Sequence, residues 1–234
     1  DLVRSRGLGD VYKRQGENRA LYLKKLFHWG SKNFGIKIKV FGSEKLAKPS
    51  LVVSSHISWL EIWDSLYLWD LHYISKEEVK HFPIIGKLAK TMGSIFIARS
   101  KTKRCVEGIK QVSHYLLQGE NVMLYPEGTT SDGTKVLPFK ATYFSAALKA
   151  QVPVQPIAVF YRNFDGTQNT EVAYWGEINL IQSAWKVAKT RGVTLEFYVL
   201  EPIEPGFSGN ERYDRALLAQ KARLAISKCL EKIR

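Results

Sequence analysis

His56 and Glu61 stand five residues apart in Ser54-Ser-His-Ile-Ser-Trp-Leu-Glu61, and that pairing can build a general base. A carboxylate that accepts a hydrogen bond from one imidazole nitrogen fixes the tautomer, so the other nitrogen can take a proton from a hydroxyl. Whether the two side chains meet depends on the elements that carry them. Leu51 to Ser54 is a short β-rich run, whereas Trp59, Ile62, Trp63, Leu66 and Trp69 recur at helical spacing. The pattern predicts a strand, a turn holding His56, and a helix with Glu61 in its first turns.

Three further blocks follow in order. Gly93-Ser-Ile-Phe-Ile-Ala-Arg99 joins an apolar run to a cation, Leu124-Tyr-Pro-Glu-Gly-Thr-Thr-Ser-Asp-Gly133 follows a second run, and Val152-Pro-Val-Gln-Pro-Ile-Ala-Val159 follows a helical stretch. On these four blocks, over residues 36–160, the chain closely resembles the glycerolipid acyltransferase family of 1-acyl-glycerol-3-phosphate acyltransferases and their relatives. That family carries His-x4-Asp, Gly-x-x-Phe-Ile-x-Arg, Pro-Glu-Gly-Thr-Arg-Ser and an apolar Val-Pro-Val-x-Pro block in the same order. Two positions depart from the pattern. Glu61 stands where the family usually has Asp and keeps the carboxylate; Thr130 stands where it usually has Arg and removes a cation.

The resemblance implies transfer of a fatty acyl group from a thioester, carried by acyl carrier protein or coenzyme A, to the free hydroxyl of a lysophospholipid. With its Arg99 block intact, the preferred acceptor is 1-acyl-sn-glycerol-3-phosphate, giving phosphatidic acid; Thr130 favours the alternative, lyso-ornithine lipid. His56 is then the base and Glu61 its orienting partner. Lys76, Arg99, Glu127, Gly128, Thr129, Thr130 and Ser131 are implied as substrate-binding residues, with Lys140 a further candidate cation. No cofactor is expected beyond the thioester co-substrate. Ser131 lies in Gly-Thr-Thr-Ser-Asp-Gly rather than Gly-x-Ser-x-Gly, so no covalent acyl-enzyme is expected. The competing class is a non-catalytic basic module that binds membranes.

Composition bounds these readings. The 234 residues fit one α/β core, and no Pro/Gly/Ser-rich linker or repeat divides them. Only Cys105 and Cys229 occur, without CxxC or Cys/His spacing, so neither a disulfide framework nor a metal site is indicated and a reducing compartment is expected. The most apolar region, Leu51 to Ile74, is interrupted by His56, Glu61, Asp64 and Asp70, short of the ~20 apolar residues that span a bilayer. Thirty-five basic against 22 acidic residues give +13, spread over helices, a charge suited to an anionic bilayer or an acidic acyl carrier. Nucleic acid is not expected, since no helix-turn-helix, zinc knuckle or aromatic RNP-like strand is present.

Residues 1–15 show neither periodicity nor a signal-peptide core, resemble translated sequencing adapter, and are set aside as a non-native segment; losing their four basic and two acidic residues leaves +11. Residues 16–35 read as a basic amphipathic helix in which Leu21, Leu23, Leu26, Phe27, Trp29 and Phe34 mix with Lys24, Lys25 and Lys32, suited to a membrane interface or to core packing. Residues 36–234 read as a single acyltransferase domain. The expected location is the cytoplasmic face of the inner membrane, peripheral or anchored by a segment missing from this chain. His72 sits on an expected strand next to Tyr73, and His28, His81 and His114 lack carboxylates at useful spacing; all four read as structural or surface residues.

The fold class expected is α/β, with a mixed, partly parallel β-sheet flanked by helices. Strands are predicted at 36–41, 51–54, 72–75, 94–97, 122–125, 154–161, 171–174 and 194–200. Helices are predicted at 21–34, 58–69, 83–92, 103–118, 141–150, 178–188 and 210–233. Strands alternating with helices favour a sheet covered on both faces, with catalytic groups in the loops at strand ends.

Overall fold

Short apolar runs alternating with amphipathic ones become alternating strands and helices in the computed structural model, which describes residues 21–82, 85–97, 102–190 and 192–234. The strands are β1 (Lys37–Phe41), β2 (Leu51–Ser54), β3 (Leu71–Lys76), β4 (Ile95–Ile97), β5 (Asn121–Leu124), β6 (Val154–Arg162) and β7 (Thr194–Val199). Among the described residues they form one sheet in the order β1-β7-β6-β2-β5-β3-β4. β6, β2, β5, β3 and β4 run parallel; β7 pairs antiparallel to β6, and β1 runs parallel to β7. Every residue of β2 and β5 is buried, which explains why three of the four residues in each are apolar: a central strand covered on both faces has no polar side.

The helices are α1 (21–33), α2 (Leu60–Leu68), α3 (Ile85–Thr91), α4 (Thr102–Leu117), α5 (Ser145–Ala150), α6 (Leu180–Lys189) and α7 (Glu211–Ile233). The two-residue period of the strands divides them between the faces. Val52, Met123 and Val159 pack with Phe27 of α1, Leu60 of α2 and Val187 of α6. Leu51, Val53 and Val122 point the other way, onto Val112 of α4, Ala147 of α5 and Leu218 of α7.

Parallel pairing sends the C-terminal ends of β2, β3, β4, β5 and β6 to one edge of the sheet, where loops that change direction must gather. The mixed sheet flanked by helices is as expected, and its central part is wholly parallel. One expected strand is corrected. Glu171–Tyr174 forms a turn and a loop, because the N–H of Val172 goes to Asn169 Oδ1, that of Ala173 to Thr170 O and that of Tyr174 to Ile57 O, leaving no ladder to join. The segment set aside at 1–15, and Pro83 and Ile84 at the start of the third expected helix, lie outside the described residues. Among the described residues no helix is long and apolar enough to cross a membrane.

Candidate active site

β2 ends at Ser54, and the chain makes a short turn before α2 starts at Leu60. His56 occupies that turn and Glu61 the second position of the helix. Glu61 folds back over the turn, so that Oε1 accepts from the N–H groups of Ile57 (2.7 Å) and Ser58 (2.8 Å) and Oε2 from Ser58 N–H (2.9 Å). His56 Nδ1 lies 2.8 Å from Glu61 Oε1, and the Tyr161 hydroxyl, from the end of β6, donates to Oε2 at 2.6 Å. A carboxylate only accepts, so His56 carries its proton on Nδ1 and presents the lone pair of Nε2. Glu61 is fully buried, whereas the His56 side chain is 18% exposed, enough to meet a substrate.

A bed of tyrosines fixes the pair. The His56 ring stacks on Tyr125, with centroids 4.2 Å apart and planes 19° from parallel. Ser65 on α2 hydrogen-bonds to the Glu61 carbonyl and to the Tyr73 hydroxyl. Burial pushes the Tyr73, Tyr125 and Tyr161 phenols above their ordinary range, so all three remain neutral hydroxyls that can donate.

The loop after β5 closes over the turn. Gly128 adopts φ 76°, which a side chain would strain, and its N–H returns to Tyr125 O at 3.1 Å. Ser131 N–H donates to His56 O at 2.9 Å, and Gly133 lies so close to Ile57 that a Cβ there would meet its Cδ1 at 3.1 Å. Glu127 is buried here. Desolvation raises its carboxyl to about 8, with the charge of Glu61 adding to the rise and the main-chain N–H groups of Leu137 and His56 opposing it. Neither Glu127 oxygen completes a hydrogen bond of good geometry among the described residues.

His56, Glu61, Glu127, Gly128 and Ser131 are thus brought together at the C-terminal edge of the sheet. Thr129 is exposed and Thr130 half-buried beside them, and the N–H groups of both make no hydrogen bond among the described residues. Lys140 is tied to the loop through its N–H to Pro126 O (2.9 Å), with an exposed side chain. Lys76 ends β3 at the same edge, exposed and paired in register with Ile97. Arg99, two residues beyond, lies outside the described residues. An open groove of about 340 Å³ runs beside the loop, lined by Asp132, Thr134, Glu171, Trp175, Ile178 and Lys186 among others.

Sequence reasoning missed Tyr161 and Ser65, whose only signal was a polar atom inside an apolar run. It also did not show the surroundings of His28, which it took as structural. That imidazole stacks on Tyr67 (4.0 Å, 6°), and its Nδ1 faces Asp64 Oδ1 at 3.6 Å, so it does have a carboxylate neighbour, but one 36 positions away in sequence. Asp64 is fully buried one turn after Glu61 and accepts from Ser31 Oγ at 2.9 Å. Burial raises its carboxyl to about 7, against the opposing hydrogen bond from Ser31, and burial lowers the His28 imidazole.

A family model described as Acyltransferase matches residues 37–160. The lyso-ornithine lipid O-acyltransferase of Pseudomonas aeruginosa is 32% identical over 191 residues, covering 81% of this chain and 70% of that protein. The 1-acyl-sn-glycerol-3-phosphate acyltransferase of Neisseria gonorrhoeae is 32% identical over 147 residues, covering 62% and 57%. The crystal structure of the 1-acyl-sn-glycerophosphate acyltransferase PlsC from Thermotoga maritima superposes with a TM-score of 0.66 at 23% identity, covering 95% of this chain and 82% of that one, a likeness of fold.

Proposed function

The chain belongs to the acyltransferase family, and from that premise we propose that it moves a fatty acyl group from a thioester of acyl carrier protein or coenzyme A to the free hydroxyl of a lysophospholipid, 1-acyl-sn-glycerol-3-phosphate. The observation that carries the chemistry is the His56–Glu61 pair: a buried acceptor satisfied by four donor groups, holding an imidazole whose second nitrogen can reach substrate. His56 Nε2 takes the hydroxyl proton as the alkoxide oxygen attacks the thioester carbonyl, a step of general-base catalysis worth about 10²–10⁴ in rate. The C–O bond forms, the tetrahedral oxyanion collapses, the C–S bond breaks, and the imidazolium returns its proton to the departing thiolate.

The N–H groups of Thr129 and Thr130 are the donors available to the oxyanion. Glu127, protonated at neutral pH by its burial, can donate to the acceptor or the carbonyl. Lys76, Arg99 and Lys140 supply the cations for an anionic headgroup or donor. The reaction needs no cofactor beyond the thioester. We place it at an anionic membrane surface, on the cytoplasmic face where carrier thioesters reach lipid, with the exposed Tyr22, Leu26 and Trp29 of α1 and its Lys25 and Lys32 facing the bilayer.

A second acceptor, lyso-ornithine lipid, is favoured by two observations: Thr130 supplies no cation, and three of the relatives so named align over 73–82% of the chain, against 62% for the 1-acyl-sn-glycerol-3-phosphate acyltransferase of Neisseria gonorrhoeae. Thioester consumption with each lysolipid, using purified protein, separates the readings. Turnover of lysophosphatidic acid, undiminished or improved by Thr130→Arg, supports the first. Turnover of lyso-ornithine lipid alone, impaired by Thr130→Arg, supports the second. Labelled acyl thioester without acceptor should leave the protein unlabelled; a stable acyl group on Ser131 or Cys105 would refute a direct transfer.

A further inference from the structure

We infer that the outer face of α6 is a second docking surface for an anionic lipid bilayer, working beside the outer face of α1. A helix packed on a sheet turns its apolar stripe inward and its polar residues outward. α6 does not follow this pattern: Ser183 and Val187 are buried, while Ile181, Trp185 and Ala188, at i, i+4 and i+7, face solvent, with Ile181 83% and Trp185 64% exposed. α1 has the same arrangement, with Tyr22, Leu26 and Trp29 at i, i+4 and i+7 turned outward while Phe27 enters the core.

Lysines flank both stripes. Lys25 and Lys32 lie on α1, Lys186 and Lys189 on α6, and Lys189 Nζ sits 5.1 Å from the centre of the Trp185 ring. Tryptophan beside lysine is the chemistry of a bilayer interface: the indole settles at headgroup level and the ammonium meets lipid phosphate. Two lysine-edged apolar stripes on separate helices match an extended surface that is anionic outside and apolar within. An acidic protein would satisfy the lysines and leave the stripes wet.

The two helices share one face of the sheet, and Trp59 bridges them. The Phe34 ring, just after α1, meets the Trp59 ring edge-on at 6.1 Å, and Trp59 Nε1 donates to Ser183 Oγ of α6 at 3.0 Å. Trp59 follows His56 by three residues, and the loop leading to α6 is hydrogen-bonded to Ile57 through Tyr174 N–H at 2.8 Å. The groove from Asp132 to Lys186 therefore runs from the site loop to α6. Docking through both helices would hold the site against the layer that contains its lipid acceptor. The contribution of α1 belongs to the reading already proposed; that of α6 is independent of it.

The test is co-sedimentation of the full chain with vesicles of phosphatidylcholine mixed with phosphatidylglycerol, which reads binding without activity. I181S/W185S should partition about tenfold more weakly than wild type, and W29S similarly. L224S, which removes a half-exposed leucine from α7 on the opposite face, should bind as wild type. I181S/W185S should keep the wild-type melting temperature, and I181S alone, changing the most exposed of these residues, gives a milder second reading. Partition of I181S/W185S within twofold of wild type overturns the inference. If W29S alone weakens, the α1 reading survives by itself; if neither does, both fall. Loss of acyl carrier protein binding by I181S/W185S with vesicle binding intact would assign the face to the carrier and overturn the inference.

Discussion

Helix α2 supplies the carboxylates of two histidine–carboxylate pairs, three residues apart, and the pairs are built in opposite ways. Glu61 accepts from His56, from two main-chain N–H groups and from Tyr161, all at 2.6–2.9 Å. Asp64 accepts from Ser31 alone; its Oδ1 is unpaired among the described residues, and His28 faces it at 3.6 Å, too long for a hydrogen bond. The first pair has every requirement of an oriented base. In the second, desolvation brings the acid to about 7 and lowers the imidazole, so both partners lean towards neutrality. A dyad is therefore marked less by a histidine near a carboxylate than by donors enough to keep that carboxylate an acceptor.

The largest expected contrast separates the two histidines. His56→Ala should lower the turnover number by about 10²–10⁴ with the fold intact, since a proton acceptor is lost and little core volume. His28→Ala should leave turnover within a few-fold of wild type. Equal losses would erase the distinction. The two carboxylates come next: Glu61→Gln should cost on the order of 10² or more in rate, because an amide cannot accept from all its donors and no longer stabilises the imidazolium, whereas Asp64→Asn should cost little. Smaller still, Tyr161→Phe should reduce turnover about tenfold, the worth of one hydrogen bond to a charged group. The acceptor's Michaelis constant should stay the same, because Tyr161 acts on Glu61 and not on substrate.

The raised carboxyls sharpen the comparison through stability. A buried acid that holds its proton more tightly in the folded state favours folding below its unfolded value and loses that advantage as pH rises to its folded value. For Glu127 the window runs from the ordinary 4.5 to about 8, and for Asp64 from 3.8 to about 7. The melting temperature should thus fall between pH 5 and 9, and Glu127→Gln and Asp64→Asn should each flatten the slope. A wild-type slope that neither substitution flattens would show that these carboxyls do not hold their protons in the fold.

What could be read from the sequence follows the distances over which the contacts form. His56 and Glu61 are five residues apart across a strand end and a helix start, so local periodicity was enough to bring them together. The partly parallel sheet was legible in the alternation of strands with helices. Tyr161 is 100 residues from Glu61, and Asp64 is 33 from Ser31; such partners depend on strand order, which spacing does not encode. The strand expected at 171–174 had the alternation of a strand, but Asn169 and Ile57 captured its N–H groups first. The outward stripe of α6 lies within the helix expected at 178–188, but a period does not say which face turns inward.

The central claim, that His56 and Glu61 act as one unit, is tested most directly by a double-mutant cycle on the turnover number of folded His56→Ala, Glu61→Gln and the combined variant. If Glu61 serves the reaction only by holding and charging His56, the double variant should be no slower than His56→Ala alone. Losses that multiply would show two independent contributions and contradict the account.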